Sequence, residues 1–304
     1  MNVLITGGSG LIAGRLCEYI KKLHNVTVVS RSKVNPISNV KILITNTIDS
    51  NMLSSQDIIV HAASPNHNQC DDATIREKYL KETKKLIDNA SQSGVKKFIF
   101  TSSTRVYGKF PSGNINEESD TSIEDNYSLV KKEIEDYLEK VPSNLERYSL
   151  RISNSYGYPV MKEAQCWNLV IMYACKQAFI DDKVALRSNG EEYKDFIPIL
   201  SVVEAINNLI MTEGSHTYNV YNITSGNTEK VKNILNYLID MVNTLSKKQV
   251  RLILANNQEK YMQYQIHSNL KSINCTPVIN HSKEMEMLVK YCQKNYDRAY
   301  TRKL

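Results

Sequence analysis

Short runs of aliphatic and β-branched residues alternate with longer amphipathic stretches through the first half of the chain. The short runs are typical of buried strands, and they read MNVLIT, VTVVS, KILIT, DIIVHAA, KKFIFTSS and RYSLRIS. Helical stretches lie between them, among them LIAGRLCEYIKKL, residues 75–92 and YSLVKKEIEDYLEKV. Strands that alternate with helices favour a parallel sheet with helices on both faces. We therefore predict an α/β fold with a doubly wound parallel sheet.

The first predicted helix has an apolar side and a charged side. Its apolar residues recur at helical spacing, and they are Ile12, Leu16, Tyr19, Ile20 and Leu23. The charged residues of the other side are Arg15, Glu18, Lys21 and Lys22. A stripe of this kind normally faces the core. We therefore expect the apolar set to be buried and the charged set, including Arg15, to face solvent.

A glycine-rich turn, GGSGLIA, joins the first predicted strand to this helix. Gly7 permits a tight turn, Gly10 lets the backbone approach a pyrophosphate, and Ala13 is small enough for the helix to lie against the sheet. The first N–H groups of the helix, near Leu11 and Ile12, point toward bound phosphates. Such a turn alone is a weak signal, but its position between first strand and first helix favours dinucleotide binding on a Rossmann-type fold.

The regular alternation of strands and helices stops near Gly157. We therefore predict a dinucleotide-binding domain over residues 1–157 and a smaller, mainly substrate-binding region over residues 158–304. Part of residues 195–224 is expected to pack back on the first domain.

The end of the second predicted strand carries a clue to the cofactor. An NAD site usually has a carboxylate there that binds the ribose hydroxyls, but this chain has Ser30, Arg31 and Ser32 after Val29. A guanidinium with neighbouring hydroxyls suits a 2′-phosphate. NADP(H) is therefore favoured, and NAD(H) stays possible, because Arg31 can also cap the strand or stack on the adenine.

Candidate chemistry lies after the strand KKFIF. That strand leads to Ser103, and Tyr127 and Lys131 follow at a spacing of four, which places them on one helix face. A neighbouring ammonium favours an ionised phenol and brings its pKa toward neutral pH. The spacing is unspecific in a chain with 18 tyrosines. The order of glycine turn, serine-ended strand and Tyr-Lys helix is what hydride chemistry on this scaffold requires.

Composition limits the expected location, binding partners and metal content of the protein. No apolar run reaches the roughly 18 residues of a membrane span, and the N-terminal residues do not resemble a signal peptide, so we expect a cytoplasmic, unanchored protein. A net charge of +6 with interspersed signs suits an anionic small substrate, and we expect the basic residues 294–304 to be a solvated tail rather than a nucleic-acid contact. Six scattered cysteines predict reduced thiols, and His61, His67 and Cys70 miss the usual zinc spacings, so we expect no metal site.

With these motifs in fixed order, the chain resembles the extended short-chain dehydrogenase/reductase family, which contains sugar-nucleotide epimerases, dehydratases and reductases. The resemblance covers most of the chain. The matching stretches are TGGSGLIAG, HAAS, GVKKFIFTSSTRVYG, YSLVK, LRISNSYG, NGEEYKDFIPILSVVEAI and VYNITSG.

The resemblance implies roles for individual residues. Ser103 would hold the substrate oxygen, Tyr127 would be the acid/base, and Lys131 would bind the nicotinamide ribose and lower the pKa of Tyr127. Further cofactor-binding positions implied in this way are Ala62, Ala63 and, near the adenine, Asn46. The implied substrate-binding positions are Ser64, Thr104, Asn154, Lys194 and Asp195. A homodimer that pairs through the two helices flanking the site is also implied.

Departures from the family pattern narrow the expected activity. Dehydratases of the family carry Asp-Glu before VYG, where this chain has Thr104 and Arg105, so a 4,6-dehydratase is disfavoured. Lys194 replaces an arginine that binds a diphosphate through its bidentate fork. We expect reduction of a C4 keto group on a nucleoside-diphosphate-linked deoxyhexose, in the synthesis of surface-polysaccharide sugars. An NAD-dependent nucleotide-sugar 4-epimerase is the alternative, and a catalytically silent NADP(H)-binding regulatory protein is a third possibility.

Overall fold

The computed structural model describes residues 1–141, 144–214 and 217–297. Its strands are β1 (Asn2–Thr6), β2 (Asn25–Ser30), β3 (Val40–Ile44), β4 (Ile58–His61), β5 (Lys97–Ser103), β6 (Gly113–Ile115), β7 (Glu146–Ile152), β8 (Asn154–Tyr156), β9 (Lys183–Ala185), β10 (Tyr193–Pro198), β11 (Tyr218–Ile223), β12 (Thr228–Lys230), β13 (Arg251–Ile253) and β14 (Tyr264–Ile266). Its α-helices are α1 (Leu11–Ile20), α2 (Ser50–Leu53), α3 (His67–Cys70), α4 (Ala73–Gln92), α5 (Asn126–Lys140), α6 (Val170–Ile180), α7 (Ile199–Met211), α8 (Val231–Ser246) and α9 (His281–Tyr296). Short 3₁₀ helices span Thr104–Tyr107 and Leu270–Ile273. The last seven residues of the basic C-terminal end lie outside the described residues.

Seven parallel strands form the central sheet, in the order β3-β2-β1-β4-β5-β7-β11. The chain first builds outward from β1 to β3 and then crosses to β4, so the direction of winding reverses between β1 and β4. The predicted Rossmann-type doubly wound fold is therefore confirmed, and each predicted strand is present. Ligands of such sheets bind beyond the carboxyl ends of the strands at this reversal point.

The two faces of the sheet bury separate apolar clusters. Val3 and Ile5 of β1 pack on one side with residues of α1 and α7, whereas Leu4 packs on the other side with residues of α4 and α5. Because both faces are covered, the strands are continuous apolar runs, and this explains why they were recognisable in the sequence.

The predicted faces of the first helix are wrong for three residues, one of which, Leu23, lies beyond the end of α1. Arg15 is 5% exposed, whereas Tyr19 and Leu23 are 38% and 62% exposed. The guanidinium of Arg15 forms two hydrogen bonds to the carboxylate of Glu284 in α9, at 2.7 and 3.1 Å, and lies 4.0 Å from the ring centroid of Tyr158. A buried charge is tolerated because it is paired.

The C-terminal part of the chain adds small sheets beside the carboxyl end of the central sheet. In the first, β10 lies between β8 and β12; in the others, β9 pairs with β13 and β6 pairs with β14. Helix α7 packs against α1, and β11 completes the central sheet, so residues 195–224 contribute to both parts of the fold.

Three further features bear on the expected chemistry and location. The six cysteines are buried free thiols, as predicted. Within the described residues, no cluster of three or more His, Cys, Asp or Glu side chains is arranged to hold a metal ion. None of the helices in the described ranges is both long and apolar enough to cross a membrane.

Candidate active site

The predicted glycine turn meets the two predicted alanines at the reversal point of the sheet. Gly7 has φ +77°, and a Cβ there would lie 2.6 Å from the backbone N of Ala63 and 2.8 Å from the carbonyl O of Ala62. Only glycine combines this conformation with so close an approach. The turn and the segment after β4 therefore form one continuous wall.

The N-terminus of α1 opens at this wall. Gly10 is the N-cap residue, no side chain caps the helix, and the N–H of Gly10 donates to the carbonyl of Gly7 at 2.7 Å. The first N–H groups of a helix, here those that begin at Leu11 and Ile12, have no intrahelical partner. Ala13 is fully buried, so the helix lies close to the sheet. This arrangement fits the pyrophosphate of a dinucleotide.

The ends of β2 and β3 place the predicted adenosine contacts side by side. The N–H of Thr45 donates to the carbonyl of Ser30 at 3.0 Å, and Asn46 follows on the surface. Ser30 is buried, whereas Arg31 is exposed and forms no ion pair with another described residue. The guanidinium of Arg31 is therefore available to an anionic group of a ligand.

Ser103, Tyr127 and Lys131 come together beside that wall. The Ser103 hydroxyl is close enough to the Tyr127 phenol to lower its pKa. The Lys131 amine lies 5.4 Å from the centroid of the Tyr127 ring and donates to the carbonyl of Thr101 at 2.8 Å. Strand β5 and helix α5 thus supply a hydroxyl, a phenol and an amine to one cleft.

The pKa of Tyr127 does not move toward neutral pH as expected, because burial outweighs the effects that lower it. Desolvation raises the pKa of Tyr127 to about 12, and Cys70 and Asp125 add to this effect, although the hydrogen bond with Ser103 acts against it. Desolvation also lowers the pKa of Lys131 to about 8, against the opposing effects of Cys70 and Glu135. At neutral pH the phenol is therefore protonated, and the amine is largely cationic.

Helix α5 is held in place by residues that the sequence motifs did not identify. Asp125 caps the helix by accepting from the N–H of Ser128 at 2.7 Å, and its other oxygen accepts from Nε of Arg105 at 2.7 Å. Burial acts to raise the pKa of Asp125, but these hydrogen bonds hold it at about 2. His67 stacks near Tyr127, with ring centroids 6.2 Å apart, and lies 3.5 Å from the same Asp125 oxygen. The sequence signal that could have identified this cluster is an aspartate at the N-cap position shortly before Tyr127.

The predicted substrate-facing residues divide into two groups. Asn154 is exposed, and its side-chain amide donates to the carbonyl of Asp195 at 2.8 Å. Lys194 is half-buried, and its side-chain amine has no hydrogen bond or ion pair to another described residue. Asp195 itself is fully buried, and its carboxylate accepts from the Ser153 hydroxyl at 2.5 Å and from the N–H of Ser225 at 2.9 Å. The predicted substrate-facing role of Asp195 is therefore wrong, because its oxygens are occupied within the protein.

The two remaining predicted substrate contacts lie at the edge of the same cleft. Ser64 is half-buried and its hydroxyl donates to the carbonyl of Pro65 at 3.0 Å. Thr104 is half-buried in the 3₁₀ helix that follows Ser103. Both stay candidates for substrate contact.

Comparisons with known proteins agree with this geometry. The profile of the NAD dependent epimerase/dehydratase family matches residues 3–224. The UDP-N-acetylglucosamine 4-epimerase of Methanobrevibacter ruminantium M1, solved with UDP-N-acetylmuramic acid, superposes with a TM-score of 0.82 at 19% identity over 95% of this chain and 97% of that one. The UDP-glucuronic acid 4-epimerase of Bacillus cereus, solved with NAD, gives 0.80 at 19% over 99% of each chain. The NDP-hexosamine 5,6-dehydratase TunA gives 0.79 at 20% over 97% and 98%. At these identities the similarity shows the fold alone. No curated protein sequence is significantly similar to this chain.

Proposed function

The chain belongs to the NAD dependent epimerase/dehydratase family, and from that premise we propose that it catalyses oxidation or reduction at a ring carbon of a sugar linked to a nucleoside diphosphate. The observation that carries the proposal is the meeting of Ser103, Tyr127 and Lys131 beside the glycine turn. A hydroxyl, a phenol and an ammonium at that place can hold a sugar oxygen and move its proton while the carbon changes oxidation state.

Each residue has a distinct task in this proposal. A bound nicotinamide would supply the hydride chemistry at the sugar carbon. Ser103 donates a hydrogen bond to the reacting oxygen, and Tyr127 gives its proton to that oxygen or takes it back. Lys131 keeps a positive charge beside the phenol and stabilises the phenolate that proton donation leaves. Its amine is fixed by the carbonyl of Thr101, so it acts from a set position.

Two observations favour net reduction by NADPH. Arg31 offers an unpaired guanidinium where a 2′-phosphate would lie. The pKa of Tyr127, raised to about 12 by desolvation, keeps the phenol in the proton-donating form that reduction needs. We therefore place reduction of a keto group, at C4 of the sugar, first. The expectation of a deoxyhexose, of surface-polysaccharide synthesis and of a cytoplasmic location stays a prediction.

A 4-epimerase is the second candidate. Ser103, Tyr127 and Lys131 serve equally for oxidation of the sugar and return of the hydride to the opposite face. Of the two 4-epimerases that share this fold, one was solved with NAD and the other with a UDP-sugar. These neighbours support the epimerase as strongly as the observations above support the reductase. The two reactions differ in one respect, because an epimerase consumes no cofactor in net terms.

One experiment separates these candidates. The purified protein is incubated with NADPH or NADH and a panel of nucleotide-linked 4-keto and 4-hydroxy sugars, while absorbance at the nicotinamide band is followed and products are identified by mass spectrometry and NMR. Cofactor oxidation that tracks loss of a keto sugar supports the reductase. Product formed at constant absorbance, with NAD retained on the protein, supports the epimerase. Cofactor binding without turnover of any sugar supports the silent regulatory protein.

The predicted homodimer has a polar candidate interface. On the outer surfaces of α4 and α5, Lys84 pairs with Glu133 at 3.5 Å, and Ile75 is the large hydrophobic side chain of these helices that is exposed. A dimer contact made by α4 and α5 of both protomers would therefore join charged surfaces, whereas stable homodimers usually bury apolar area. Light scattering of the purified protein across salt concentrations measures its mass, and a monomer at all of them would contradict the dimer.

A further inference from the structure

A guanidinium lies next to the group that would hold the reacting oxygen. Arg105 is two residues after Ser103 in the 3₁₀ helix, and its backbone N–H donates to the Ser103 hydroxyl oxygen at 3.2 Å. Its side chain is 26% exposed. The position of Arg105 is thus fixed by the same turn that places Ser103, and its guanidinium is partly open to solvent.

The contacts of Arg105 leave most of its donors free. Asp125 accepts from Nε at 2.7 Å and is itself held by its capping bond to Ser128. The two terminal amino groups of the guanidinium donate no hydrogen bond to another described residue. Asp125 therefore anchors the guanidinium from the side, and the paired donors that recognise a carboxylate remain open.

A second cation lies near enough to Arg105 to be affected by its charge. Lys194 of β10 makes no ion pair with another described residue, and burial lowers its pKa, with further lowering by Arg105 and Lys109 and opposition from Glu192. Strand β10 contacts β14, which pairs with β6 shortly after the turn that carries Arg105. The charge of Arg105 also acts to lower the pKa of the Tyr127 phenol. Among the described residues, Lys194 is therefore an unpaired cation near the outer strands, whereas Arg105, paired with Asp125, lies beside Ser103.

These two cations fit different parts of one substrate. Lys194 stands where the family resemblance implies a diphosphate contact, beside Asn154. Arg105 is separated from that position and is tied instead to Ser103 and to the start of α5, where the sugar ring would present its reacting carbon. A diphosphate at Lys194 leaves the terminal amino groups of Arg105 without an acceptor among the described residues, since Asp125 accepts only from Nε.

The geometry points to a sugar that carries a carboxylate close to its reacting carbon, recognised by the terminal amino groups of Arg105. This inference rests on the proposed function, because it requires a nucleotide-linked sugar in the cleft. It replaces an unsubstituted deoxyhexose by an acidic sugar, and it makes Arg105 a specificity-determining residue rather than a general acid or base.

Binding under non-reacting conditions tests the inference. UDP-glucuronic acid carries a carboxylate where UDP-glucose carries a hydroxymethyl group. Neither is a keto sugar that NADPH can reduce. Isothermal titration of each into the protein saturated with NADPH is expected to show that the acid binds about 10- to 100-fold more tightly, the range of one charge-assisted contact. In Arg105→Met the acid should bind no more tightly than the neutral sugar, and Arg105→Lys should keep part of the preference.

Matched controls separate a specific effect from a general one. Arg251→Met makes the same chemical change at an exposed arginine of β13 and should keep the preference. UDP alone should bind wild type and Arg105→Met alike. Equal binding of the two sugars by wild type would overturn the inference, as would an Arg105→Met variant that loses the same factor for both sugars and for UDP, because that result would place Arg105 on the diphosphate.

The outcomes distinguish this inference from the proposed function. Turnover of nucleotide sugars by a wild-type protein that does not prefer the acid refutes the inference and leaves the function standing. A clear preference for the acid in a protein that turns over no sugar supports the carboxylate subsite and refutes the function. Thermal melts show whether each Arg105 variant is folded. If loss of the charge in Arg105→Met destabilises the turn, Arg105→Lys serves instead, because it keeps a cation beside Asp125.

Discussion

Replacement of Tyr127 by phenylalanine tests the proposed chemistry most directly. With a pKa raised to about 12 by desolvation, the phenol is ionised at pH 7 in a fraction on the order of 10⁻⁵, so it acts as a proton donor. A positioned general acid contributes about 10²- to 10⁴-fold to a rate. Tyr127→Phe is therefore expected to lower kcat for keto-sugar reduction by that factor. The neighbouring Ser103 hydroxyl, far weaker as an acid, does not replace it.

The same substitution should leave the fold and the cofactor site intact. Loss of one hydroxyl and its hydrogen bond changes the free energy of unfolding by about 0.5–1.5 kcal/mol, against a total of about 5–15 kcal/mol for a folded protein. Steady-state oxidation of NADPH gives kcat, and quenching of protein fluorescence gives the Kd of NADPH. The matched control is Tyr218→Phe, a half-buried tyrosine of β11 whose hydroxyl bonds Ser149 at 3.0 Å. Full activity in Tyr127→Phe, or equal losses in both variants, would refute the assignment.

Three more predictions follow from the structure. Arg31→Ala should raise the Kd of NADPH about 10- to 100-fold and leave that of NADH unchanged, because a charge-assisted bond to the 2′-phosphate is lost; an equal change for both cofactors in fluorescence titrations would contradict it. Reduction should be level at lower pH and fall as pH rises above about 8, because the pKa of Lys131 is lowered to that value by desolvation and the ammonium is then lost; a profile of kcat/KM that is unchanged above this point counts against the role of Lys131. Arg15→Met should lower the free energy of unfolding by about 3–5 kcal/mol, since it leaves the Glu284 carboxylate buried and unpaired. Urea unfolding measures this, and the double variant with Glu284→Leu should be more stable than the single one.

The strands and the glycine turn were recognisable in the sequence because their causes are local. Strands buried on both faces are uninterrupted apolar runs, and helices between them leave few topologies other than a parallel sheet. Gly7 is required by its backbone angle and by the close approach of Ala63, so its position after the first strand identified the turn. The order of Ser103, Tyr127 and Lys131 along the chain likewise indicated one site.

Contacts between distant segments were not recognisable, because no local pattern marks them. Arg15 appeared to be a surface residue until the fold brought it to Glu284, 269 positions later. Asp195 was assigned to the substrate until the structure showed its oxygens bonded to Ser153 and Ser225. The pKa of Tyr127 could not follow from its spacing to Lys131, since the outcome depends on how much water the folded cleft excludes.

The sequence by itself therefore determined the architecture and the candidate residues for the chemistry, because both follow from periodicity and from the order of motifs along the chain. The tertiary structure alone decided the protonation of the phenol, the burial of Arg15 and the place of Arg105 beside Ser103. These properties arise from desolvation and from charges that meet across the fold, and both depend on distances in space rather than on distances in sequence.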